Sequence, residues 1–76
     1  MSKEMKYIVT NSYPILFTQC QQHSDFRHFN PSSAGMCRID HEDGKFVAEC
    51  YGESISLKLK TNPQDKIFIE LMLNHY

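Results

Sequence analysis

Seventy-six residues, 41% of them apolar and 22% charged, describe one small globular domain spanning residues 1–76, because a chain this short buries only about 60% of its unfolded surface and cannot be divided between two cores. Eight Lys and Arg against nine Asp and Glu leave a net charge of -1, which removes the counterion-release term behind phosphate-backbone binding and argues against nucleic acid as a partner. No apolar run approaches the roughly 20 residues of a spanning helix, MSKEMKY has no apolar signal core, and three cysteines are an odd number at unremarkable spacing, so a cytoplasmic protein with no membrane contact and no disulfide is expected.

Lys6 to Thr10, KYIVT, is rich in β-branched and aromatic residues and predicts a first strand that stops at the turn formers Asn11, Ser12 and Pro14. Ile15 to Cys20, ILFTQC, resumes the same character at once, which predicts a hairpin with the first strand. Gln21 to Gly35 shows neither alternation nor a helical stripe. A loop of this length in so small a domain is usually functional, mobile, or host to a short helical turn. Ser24 is positioned to cap such a turn, Phe26 and Phe29 to face the core from it, and Pro31 to stop it.

MCRIDHEDGKFVAEC is the most legible passage. Cys37, Ile39 and His41 alternate on one face before EDGK, and Phe46, Ala48 and Cys50 alternate after it, which predicts a hairpin with Gly44 supplying positive φ. Ile55, Leu57 and Leu59 alternate with Ser54, Ser56, Lys58 and Lys60 as a half-buried strand. Inward residues are even-numbered from Phe46 through Cys50 and odd-numbered from Ile55, and a side-chain period of two cannot change parity without an inserted residue or a reversal. Gly52 marks the place, so Tyr51, Glu53 and Ser54 are aimed as no regular strand would aim them. In the tail, Asn62 at the cap, Pro63 at the first helical position and Asp65 in the first turn predict a helix through IFIELML. The fold expected is α+β: an antiparallel β-meander of about five strands with a C-terminal helix packed on one face.

SSAGMCRI, YGESISLKLK and NPQD together resemble a pattern of small uncharacterised bacterial and phage proteins, in which Ser-Ala-Gly-aromatic is followed by Tyr-Gly-Glu-Ser, alternating Ser-Leu, and a Pro-x-Asp helix start. Met36 stands where that pattern has an aromatic residue. The resemblance implies a bacterial or phage origin and no particular activity.

Two constellations carry possible chemistry. Cys20 with His23 and Cys37 with His41 have ligand types suited to tetrahedral zinc, yet on a strand Cys37 and His41 lie about 13 Å apart at roughly 3.3 Å per residue and cannot hold one ion. The cysteines read as packing residues, and no metal or cofactor is expected. In HSDFRHF, His23, Asp25 and His28 offer acid-base groups, with Glu42 and Asp43 as possible neighbours, but a domain this small seldom encloses a dry pocket. Ser54 lacks the later glycine of a nucleophile elbow. Tyr7, Phe17, Phe46 and Tyr51 would need a cationic surround to stack bases, and only Lys58, Lys60 and Lys66 cluster. The C-terminal helix carries Ile67, Phe68, Ile69, Leu71, Met72 and Leu73, more apolar surface than one sheet face can cover, which predicts a homodimer.

The sequence therefore favours a small non-enzymatic binding or accessory protein that contacts a protein partner or small ligand. Its candidate binding residues are His23, Asp25, Arg27, His28, Tyr51, Glu53 and Ser54, with no catalytic residue assigned. An enzyme with a metal or His/Asp site at a dimer interface is the alternative.

Overall fold

The computed structural model describes residues 2–75. β1 (Lys3–Thr10) and β2 (Tyr13–Phe17) form the first hairpin, a 3-10 helix (His23–Phe29) follows, and β3 (Ser33–Glu42) and β4 (Lys45–Tyr51) form the second hairpin. The short strands β5 (Glu53–Ser54) and β6 (Leu59–Lys60) precede α1 (Asp65–Asn74). The result is an α+β fold: a four-stranded antiparallel sheet in the order β2-β1-β3-β4, a separate β5-β6 pair, and the C-terminal helix against the sheet. Among the described residues, no helix is long and apolar enough to cross a membrane.

Both hairpins close on two-residue turns whose residues all have positive φ: Asn11 (51°) and Ser12 (64°) in the first, Asp43 (51°) and Gly44 (78°) in the second. This is the type I′ geometry whose twist matches that of the strands it joins, and Asn, Asp and Gly are the residues that tolerate it. Pro14 is not part of the turn; it is the second residue of β2, opposite Val9. The closing pair Thr10–Tyr13 is hydrogen-bonded in such a turn, so Val9–Pro14 is not, and the missing N–H of Pro14 faces the free edge of the sheet. β2 also ends at Phe17, leaving Cys20 exposed in the following turn rather than in a strand.

Alternation along β1 and β3 sends side chains to both faces, and both are covered. Tyr7, Val9, Cys37, Ile39 and Ala48 pack with Ile69 of α1, while Ile8, Phe17 and Ala34 on the opposite face take Phe26 of the 3-10 helix together with Leu57 and Leu59. The residues from Ile55 to Lys58 do not continue a strand. They form a turn between β5 and β6, with Lys58 at φ 58°, the Lys58 N–H donating to the Ile55 carbonyl at 3.2 Å, and the Leu57 N–H donating to Ser54 Oγ at 3.3 Å. Serine side chains compete for local backbone donors in this way, and Ile55, expected to be buried, is 83% exposed. The parity break at Gly52 is real: φ is 78° there, and the chain leaves the main sheet to bring Leu57 and Leu59 under the face that α1 does not cover.

α1 also closes the outer edge of β4. Asn74 clasps Phe46, its Oδ1 accepting from the Phe46 N–H at 2.8 Å and its Nδ2 donating to the Phe46 carbonyl at 2.9 Å. Glu70 Oε2 accepts from the Ala48 N–H at 2.8 Å, and Lys66 Nζ donates to the Ala48 carbonyl at 3.2 Å. Residues 66, 70 and 74 are one helical turn apart, and their side chains take the hydrogen bonds of an absent fifth strand.

Candidate functional site

HSDFRHF, expected to hold a short helical turn capped by Ser24, is 3-10 helix throughout, and it starts one residue before Ser24. Gln22 is its cap residue, and Asp25 Oδ2 accepts from the Gln22 N–H at 3.0 Å. Asn30 ends it in the left-handed region (φ 53°) immediately before Pro31, which has no N–H to continue it. His23 is buried, edge-on to Phe17 at 5.4 Å between ring centroids, with Nε2 2.9 Å from the Gly35 carbonyl. A carbonyl only accepts, so Nε2 carries a proton and donates it to Gly35. Arg27 Nη2 donates to the Ser56 carbonyl at 3.2 Å. Phe26 packs against Phe17 with ring centroids 4.2 Å apart and planes tilted by 30°, whereas Phe29, expected in the core, is 41% exposed against Phe26 and His28. His28 is exposed, as are Asp25 and Arg27, and it is the one of these three that makes no hydrogen bond to a backbone group among the described residues.

The fold brings this helix beside the parity break. Gln22 and His23 share a groove of about 450 Å³ with Lys6, Glu53, Ser54 and Ser56, so two segments some 30 residues apart in the sequence line one surface. Ser54 is buried with its hydroxyl accepting from Leu57 and 3.4 Å from Ser56 Oγ, while Glu53 is exposed at the rim. Tyr51 is elsewhere: it lies on the open part of the sheet, its hydroxyl donating to Glu4 Oε1 at 3.0 Å near the Arg38–Glu49 ion pair at 2.9 Å. The seven candidate residues thus fall into a groove (His23, Glu53, Ser54), an adjoining backbone clasp (Asp25, Arg27), an exposed imidazole (His28) and a separate surface (Tyr51).

His23, Asp25 and Arg27 each place one polar atom on a backbone group, which helps hold the 3-10 helix in place. His23 lies against Phe17, and Cys37 is buried among the residues packed on α1, on the other face of the sheet. Among the described residues no three His, Cys, Asp or Glu side chains converge as metal ligands.

Two features escape a sequence reading. Asp65, read in the sequence only as a helix-start acid, is 1% exposed; its Oδ2 accepts from the Tyr7 hydroxyl at 2.6 Å and the Asn62 N–H at 2.9 Å, and its Oδ1 from the Ser33 hydroxyl at 2.8 Å. The phenol has one proton and gives it to Asp65, so the Thr61 hydroxyl at 3.1 Å donates to the Tyr7 oxygen. No local pattern announces a contact among β1, β3 and α1. The second feature is the outer surface of α1. Ile67 and Leu71, one turn apart, are each 54% exposed, and Tyr13, assigned to a turn in the sequence, extends the patch at 58%. Shallow grooves of about 250 and 400 Å³ flank Leu71, the first lined by Tyr13, Phe68 and Met72, the second by Lys45 and Ile67.

No protein-family model matches the chain, and no curated protein or solved structure is significantly similar to it.

Proposed function

We propose that the protein is a small non-enzymatic binding protein that works by stoichiometric contact with protein, with the outer face of α1 as its contact surface and a homodimer as its working form. The observation that carries this reading is the continuous apolar patch of Tyr13, Ile67 and Leu71, which the domain's own elements leave uncovered. Ile67 and Leu71 form a stripe that a second α1 can meet about a two-fold axis, as isologous interfaces require, and a chain with net charge -1 meets its copy without strong repulsion. The engagement of His23, Asp25 and Arg27 with backbone supports a binding role over a hydrolytic one. The cytoplasmic placement is supported by three cysteines that are all free thiols. A bacterial or phage origin, implied by the SSAG, YGES and NPQD segments, belongs to the same reading.

Sedimentation equilibrium from micromolar to near-millimolar concentration tests it, comparing the natural chain with Ile67→Glu/Leu71→Glu. The expected result is a dimer that the double variant converts to a monomer of unchanged circular dichroism. A natural chain that stays monomeric across that range overturns the homodimer and reserves the patch for a different protein.

A further inference from the structure

The geometry points to Cys37 and Cys50 as a reversible disulfide site, formed across β3 and β4 by a peroxide-class oxidant and opened by thiols. The two residues are register partners, directly opposite one another. Glu42–Lys45 closes the two-residue turn and is hydrogen-bonded, so counting back along the ladder makes Cys37–Cys50 a non-hydrogen-bonded pair. At such positions opposed Cα atoms are about 4.5 Å apart and side chains come closest, inside the range of about 4.4 to 6.8 Å that disulfides span. Both side chains point to the same face, Cys37 within the core beneath α1 and Cys50 packed against it. Bridging therefore needs no change of register.

Access is unequal, which sets the order of events. Cys37 is fully buried, whereas Cys50 is half-buried and lines a groove of about 420 Å³ between β4, the loop from Thr61 to Pro63 and Lys66. Hydrogen peroxide is small enough to enter it. The Cys50 thiolate attacks one peroxide oxygen, so an S–O bond forms, the O–O bond breaks, and hydroxide leaves as water with a solvent proton. The Cys37 sulfur then attacks the sulfenic sulfur; the S–S bond forms, the S–O bond breaks, and a second water carries away the Cys37 proton. Two thiols lose two electrons and one peroxide gains them.

Burial pushes both thiols up, Cys37 to about 12 and Cys50 to about 11. Around Cys50, Lys66 works against that rise, while Asp65 and Glu70 add to it. The pair consequently stays reduced through brief exposure at neutral pH, and oxidation accelerates about tenfold for each pH unit as the thiolate fraction grows.

The test uses Cys20→Ser, which removes the exposed third thiol and with it most linkage between molecules. After peroxide, catalase and alkylation in denaturant, the expected product has a mass lower by about 2 Da with no alkyl group added. Trypsin cuts after Arg38 and Lys45, so Cys37 and Cys50 leave on separate peptides that remain joined until dithiothreitol releases them. Oxidised samples in which Cys37 is still alkylated while Cys50 has advanced to sulfinic acid overturn the proposal, as does linkage confined to dimers of the chain. Cys37→Ala in the same background should lose the joined peptides and over-oxidise at Cys50; joined masses persisting there would also overturn the assignment.

Discussion

The Tyr7 hydroxyl donates to Asp65 Oδ2 at 2.6 Å across 58 residues of sequence, tying the first strand to the first turn of the last helix. Tyr7 and Asp65 are 0% and 1% exposed, so neither group has water to replace the other. Tyr7→Phe leaves the carboxylate with Ser33 and the Asn62 N–H, and should cost about 1–3 kcal/mol in urea unfolding. Asp65→Ala leaves three donors without an acceptor and should cost about 3–5 kcal/mol, roughly the whole stability of a domain this size. Equal losses in the two variants would show that the carboxylate does not organise this cluster.

Alkaline pH should act on the same pair. Burial, then the bond to Asp65, raises the Tyr7 phenol above its ordinary 10. A group whose folded pKa is raised gives stability that is complete below its unfolded pKa and is lost as pH rises from there toward the folded value. Between about pH 9 and 11 the melting temperature of the natural chain should fall more steeply than that of Tyr7→Phe. Parallel slopes would assign the alkaline loss to other groups.

Gly35 should reject any side chain. A Cβ there would meet the Thr61 hydroxyl and come within 2.8 Å of the Tyr51 carbonyl, a backbone atom held in β4. Gly35→Ala should destabilise by about 1–3 kcal/mol through overpacking. Trimming Thr61 to Ala should not restore it, because the carbonyl contact persists. Full rescue by that second change would place the whole conflict at the hydroxyl.

Ile55 and Leu57 separate the sequence reading from the fold. Alternation made both inward residues of one strand, but Ile55 is 83% exposed in the turn while Leu57 packs with Ile8, Phe17 and Ala34. Ile55→Ser should change stability by less than about 0.5 kcal/mol, and Leu57→Ser by about 1–3 kcal/mol in the same denaturant series. Comparable losses would restore the strand.

What the sequence made legible is local. The two hairpins followed from Asn11-Ser12 and Asp43-Gly44 between alternating runs, and the helix from Pro63 and Asp65, because turn and boundary chemistry act over a few residues. Gly52 was legible as a break in parity, though not as the point where the chain changes layers. The 3-10 helix was legible as a short helical turn stopped by Pro31, but not its start, because its cap is made by Gln22 with Asp25, nor the fate of its phenylalanines, of which Phe26 packs against Phe17 of another element while Phe29 stays exposed. In the candidate site, the nearness of His23 to Glu53 and Ser54 depends on how β5-β6 folds back, and the uncovered side of α1 on which residues the sheet takes. Both are tertiary outcomes with no short-range signal.

The last prediction concerns the helix as a substitute strand. Burial pushes Glu70 up, but the Lys66 ammonium at 2.8 Å and the Ala48 N–H outweigh it and hold the carboxylate below its ordinary value. A group with a lowered folded pKa gives stability that is present above its unfolded value, near 4.3, and is lost as pH falls through the folded one. Acid should therefore weaken the clasp on Ala48 below about pH 4, and Glu70→Gln should show a shallower decline of melting temperature there. Asn74→Ala removes both bonds to Phe46 and should cost about 1–2 kcal/mol. It also bares an N–H and a carbonyl on the edge of β4, where another chain can pair. In sedimentation velocity the Asn74→Ala chain should form higher oligomers that Ile67→Glu/Leu71→Glu does not prevent, because they grow through the strand edge and not through the outer face of α1. Oligomers abolished by that double change would mean that the two surfaces are one interface.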